Sequence, residues 1–159
     1  MSKTEVAVVK EKSLAKGLIA GVIGGLVGTL AKTLAERMFP PHGHGKAEPT
    51  DAAAERVAGH ALDPETREIA SEGIHWGFGA AVGAAYGALA EYYPAATSKE
   101  GASFGMALEA LTHEAALPAL GLSAEPEDTT ARERASEVTS HVVYGVTTEF
   151  VRNIVRKIL

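Results

Sequence analysis

Two glycine ladders constrain this chain more than anything else in it. Gly17, Gly21 and Gly25 recur at every fourth residue of GLIAGVIGGLVGTLA, with Gly24 and Gly28 beside them. Gly79, Gly83 and Gly87 repeat the spacing in GAAVGAAYGALA. Such spacing places each set on one ridge of an α-helix. A mid-helix glycine in water costs about 1 kcal/mol against alanine, so the recurrence needs a physical reason. In a bilayer, small residues on one ridge let two backbones approach closely, which drives association where no hydrophobic effect acts between helices. A soluble bundle with a Gly/Ala-rich seam is the alternative. No formal charge interrupts Gly17 to Ala31, nor the residues between Glu72 and Glu91, and that favours the membrane.

Local signals set the helix limits. Pro40-Pro41 stops a first helix over residues 13–39. Its uncharged part is about 22 Å long, short of a ~30 Å hydrocarbon layer, and Lys16 and Lys32 can snorkel to opposite headgroup layers. Asp63-Pro64, a cap residue followed by proline, opens a second helix over 63–93 that Pro94 ends. A third runs over 102–120 with Pro118 kinking its end. Thr129 or Thr130 caps a fourth over 130–158. Thr50 or Asp51 caps a short surface helix between the first two, ending near His60. Sustained alternation is absent, so no strand competes. The expected fold is all-α, a four-helix transmembrane bundle over 13–159 after a cytoplasmic tail, 1–12.

Composition removes several function classes. At 159 residues the chain is one domain. It contains no cysteine, which excludes disulfides and thiol chemistry. A net charge of −5 without a basic, aromatic-laced stripe argues against a nucleic-acid partner. Ser103, Ser136 and Ser140 lack a G-x-S-x-G elbow, and GVIGGLVG lacks the lysine and strand of a phosphate loop. Neither an enzyme nor a cofactor is expected. Lys10, Lys12 and Lys16 ahead of an apolar run imitate a secretory leader, but the preceding segment is long and no small-residue cleavage site follows. A retained anchor fits better. Trp76 with Phe78, and Tyr92 with Tyr93, read as interfacial anchors. With the N-terminus cytoplasmic, Lys3, Lys10, Lys12, Lys16, Lys99, Arg152, Arg156 and Lys157 share that side, against Lys46, Arg56, Arg67, Arg132 and Arg134 opposite, which places both termini inside. The lipid bilayer is then the partner, and exposed glycine ridges would permit a homo-oligomer.

Ionisable residues punctuate this greasy pattern. Glu109 with His113, Glu137 with His141, and Lys32 with Glu36 are i, i+4 neighbours; Glu72 and His75 are i, i+3. His113 lies about 16 Å from the start of the third helix and His141 about 15 Å from the start of the fourth, so both come near midplane. Glu36, Glu72, His75 and Glu137 fall in the outer half, Glu91 and Glu149 in the inner half. Charge at such depth is costly and normally turns inward to pair; Glu109, His113 and Glu114 should therefore face other helices. Three readings follow. His113, His141, Glu109, Glu114, Glu137, Glu36, His75, Glu72 and Glu149 form a proton-responsive seam, since imidazoles and buried carboxyls can titrate near neutrality. Alternatively Glu36, Glu72, His75, Glu109 or Glu114, and His141 imitate a carboxylate–histidine metal bundle, although Glu72-x-x-His75 is the one matching motif. In the third reading the pairs only fix helix register. The His42-x-His44 pair in a flexible loop is a weak metal signal.

LVGTLAKTLAERMFPP, AAVGAAYGALAEYYP, LTHEAALPALGLSAEPED and SEVTSHVVYGVTTEFVRNIVR together resemble the YagU-like family of small bacterial inner-membrane proteins. His113, the PALGL turn, the Ser136-to-His141 SExxxH and Glu149 before a basic end fall in the family's order. Lys32 and Glu36 match its lysine and glutamate ahead of a double proline. The segment between the first two helices differs, and Glu109 and Glu114 have no family counterpart. The resemblance implies a multi-pass protein of the bacterial cytoplasmic membrane, linked to survival at low pH, with no established reaction.

Overall fold

Ser13 opens the first helix: its backbone is extended and its hydroxyl accepts the Lys16 amide at 3.4 Å. Helix α1 (Leu14–Met38) then runs for 25 residues, about 37 Å, and ends at Phe39 before Pro40-Pro41. This computed structural model describes residues 11–41, 48–123 and 128–159. His42, His44 and Lys46, and the tail up to Lys10, lie outside the described residues.

The remaining boundaries follow their local chemistry. The short surface helix α2 (Pro49–Ala58) closes on Gly59, whose φ of 76° is left-handed and suits glycine. At the head of α3 (Pro64–Tyr92) the Asp63 carboxylate accepts the Thr66 amide at 3.1 Å. Hydrogen bonds from the Thr66 side chain and amide hold the Asp63 carboxyl below the usual carboxylate range. Helix α6 (Ala131–Ile158) starts at a reciprocal capping box between Thr130 and Glu133. Among the described residues no strand forms.

Two segments differ from expectation. The connection expected to be a loop is tight 3-10 turns over Pro94–Gly101, with Lys99 and Glu100 at φ 51° and 55°. The third helix is not continuous to residue 120. It is α4 (Ala102–Leu111), a π-helical turn over Thr112–Ala116, and the brief α5 (Leu117–Ala119). Pro118 has no amide to donate and its ring crowds the carbonyl four residues back, so the ladder widens ahead of it.

Packing explains the glycines. Helix α1 lies against both α3 and α6, α4 lies against α6, and α2 lies on α3. The two ladders face each other: a Cβ on Gly83 would sit 2.6 Å from Gly25 Cα, and one on Gly87 would sit 2.7 Å from Gly21 Cα. Gly24 turns to α6, where a Cβ would meet the Thr148 carbonyl at 2.6 Å. Gly105 and Gly145 bring α4 and α6 together in the same way, with 2.9 Å between a Cβ on Gly145 and Gly105 Cα. Both ladders pack within the chain, α1 glycines against α3 glycines. The close fit sets which side chains can reach one another across the bundle.

Polarity is inverted relative to a water-soluble fold. The buried apolar side chains among the described residues are Ala20, Ala54, Tyr86 and Tyr144, whereas Glu109, Glu133, Glu137, His141, Glu149, Arg152 and Arg156 are buried. Leu18, Ile19, Ile23, Leu26, Val27 and Leu30 of α1 face outward, as do Val146, Phe150 and Ile154 of α6.

Candidate functional site

The π-helical turn carries His113 and α6 carries His141, and the two rings meet edge to face with centroids 4.9 Å apart. His141 Nδ1 lies 2.8 Å from the Glu137 carbonyl oxygen. A carbonyl only accepts, so Nδ1 holds the proton and Nε2 is left as the acceptor of the neutral ring. His113 Nδ1 lies 3.5 Å from a Glu137 carboxylate oxygen. Glu109 is 4% exposed, and its Oε1 is buried without a hydrogen-bond partner among the described residues.

These rings border a cavity of about 280 Å³. Glu137, Tyr144, Lys32 and Glu36 also line it, with Phe78, Leu108 and Leu117 as apolar wall. Lys32 pairs with Glu36, as its i, i+4 spacing implied, and Ser140 donates to the same carboxylate at 3.2 Å. His75 Nε2 lies 3.2 Å from the Thr33 hydroxyl.

Several sequence expectations are redirected. Glu137 and His141 were expected to pair through their side chains; instead the Glu137 carboxylate reaches across to His113. Between Glu109 and His113 the helix changes from α to π at Thr112, which shifts the phase of the i, i+4 pair. Glu114 is 44% exposed in its side chain and sits 3.9 Å from Arg134, not turned inward. Glu72 accepts the Trp76 indole N–H at 2.9 Å and leaves His75 to Thr33. The candidate metal ligands Glu36, Glu72, His75, Glu109 and His141 are thereby dispersed. Among the described residues no three His, Asp or Glu side chains gather to hold an ion.

A second polar centre, of which the sequence indicates only Glu91 and Glu149, closes the end of the bundle where α1 begins and α6 ends. Arg152 grips Glu149 with two bonds, 2.6 and 2.8 Å, while the Tyr86 hydroxyl donates to the same carboxylate at 2.9 Å. Arg156 forks onto Glu91, which also accepts the Ser13 amide at 3.1 Å. Arg152 and Arg156, which the sequence places among the basic residues of the cytoplasmic side, are both buried. The usable signal was their phase: His141, Gly145, Glu149, Arg152 and Arg156 follow one face of α6 at intervals of three or four.

Comparison with known proteins adds a family and nothing about chemistry. A family model described as "Protein of unknown function (DUF1440)" matches residues 26–150, well over half of the chain. No curated protein and no solved structure matches.

Proposed function

We propose that this chain, which belongs to the DUF1440 family of unknown function, is a multi-pass membrane protein whose His113–His141–Glu137 cluster responds to acidification. The inverted polarity carries the membrane half of this reading. Large apolar surfaces mark contact with lipid or protein, and here they clothe a core of Glu, Arg and His. Among the described residues α1 alone is long and apolar enough to cross a bilayer by composition, with a mean hydropathy of 1.7 over 18 residues. Only 39% of that stretch is buried in the chain, unlike the core helix of a soluble protein. Helix α3, the broken segment from α4 to α5 (residues 102–119) and α6 would cross beside it, with their buried Glu, His and Arg side chains turned inward as burial in lipid demands. The resemblance to YagU-like proteins supports a bacterial cytoplasmic membrane and a link to low pH, and the distribution of Lys and Arg supports both termini inside.

The ring pair supports the acid response. With Nδ1 of His141 committed to the Glu137 carbonyl, a second proton must enter at Nε2. Two imidazolium rings 4.9 Å apart repel strongly where water is scarce, and Glu137 compensates at His113 alone. Acidification would thus loosen the π turn from α6. The turn is a ready hinge, already widened and ended by Pro118. His113→Leu and His141→Leu should abolish a low-pH survival phenotype while leaving membrane insertion intact. If both variants survive acid as wild type does, the pairs serve only to fix helix register.

A further inference from the structure

Two hollows meet at the end of the bundle that carries α2. One is the cavity beside His141. The other is a polar cleft of about 530 Å³ between α1, α2 and α3. Both are lined by Glu36, Pro41, Glu48, Thr50 and His75, so the cleft adjoins the cavity.

Among the described residues, charge along this path is lopsided. The cavity lining sets Lys32 against Glu36, Glu48 and Glu137, and the Lys32 ammonium is already held by Glu36. The cleft sets Arg37 and Arg67 against Glu36, Glu48, Asp51, Glu68 and Glu72; Arg67 is partly satisfied, 3.9 Å from Asp51. A concave path of one sign between low-dielectric walls concentrates ions of the opposite sign. The cavity lining also includes Tyr144, the half-exposed Phe78, and the aliphatic Leu108 and Leu117. Aromatic faces beside a carboxylate recognise alkylammonium groups, and an apolar wall with a few polar groups is the usual make-up of a small-molecule pocket.

We propose that the cavity binds a small organic ammonium ion, which enters through the cleft beside α2. Its hydrocarbon part lies on Phe78, Leu108 and Leu117, and its charge is answered by Glu137. This assignment uses the cavity of the acid-responsive reading but not its titration, so either can fail alone.

The test is isothermal titration of the purified full chain in lipid nanodiscs with benzyltrimethylammonium. It is run at about pH 8, above histidine's ordinary pKa of about 6.5, and phenylacetate serves as the anionic comparator. Saturable binding of the cation, weakened about tenfold or more by Glu137→Gln and by the cavity-filling Leu108→Trp, with none for phenylacetate, is expected. Thermal unfolding of each variant checks that it is folded. No saturable uptake of the cation, equal binding of phenylacetate, or full affinity in both folded variants would overturn the assignment. Survival of the His113→Leu and His141→Leu strains is a separate readout and leaves this result untouched.

Discussion

The Glu137 carboxylate reaches His113 on the neighbouring segment, 3.5 Å away, and not His141 one turn along its own helix. The contact is a charge pair only when the His113 ring is protonated. A double-mutant cycle between His113→Ala and Glu137→Ala isolates the coupling between the two side chains. It should reach about 1–2 kcal/mol, the size of a hydrogen bond to a charged group. A coupling near zero would remove the His113–Glu137 contact from the account.

Glycines that share a helix should respond in opposite directions. A Cβ on Gly83 would fall 2.6 Å from Gly25 Cα, while one on Gly77 meets nothing within 4 Å. Gly83→Leu should lose about 1–3 kcal/mol or more through overpacking against backbone that cannot yield. Gly77→Ala should be neutral or gain up to about 1 kcal/mol from helix propensity. Unfolding of both proteins in detergent measures the difference, and equal effects would refute the ladder contact.

Sequence and structure agree where the determinants are local. Asp63-Pro64, Thr130 and the double proline after Phe39 act within a turn of the chain, so they could be read in place. The ladders announced close helix contact, but which ridge meets which is a tertiary matter, and they proved to meet each other. The i, i+4 rule took no account of the π turn that begins between Glu109 and His113, whose cause, Pro118, lies beyond the pair. It failed at Glu137 because a carboxylate has a choice of partners once another helix is near. Arg152 and Arg156 were misplaced because their burial depends on Glu149 and Glu91 reaching the same level of the bundle.

The Glu149–Arg152 pair offers a sharper energetic test. Both side chains are buried, so Arg152→Leu strands a carboxylate and should cost about 3–5 kcal/mol. Adding Glu149→Gln to that variant should recover most of the loss, because no net buried charge remains. Unfolding midpoints of the single and double variants decide; a double variant no better than the single would mean that Glu149 is satisfied without Arg152.

All of these effects presuppose that Leu18, Ile23, Leu30, Phe150 and Ile154 face lipid while the charged core is sheltered. Washing membranes of expressing cells in alkaline carbonate and sedimenting them tests this directly. The protein is expected to remain in the membrane pellet, as an integral protein does. Its release into the supernatant, folded and soluble, would contradict the account.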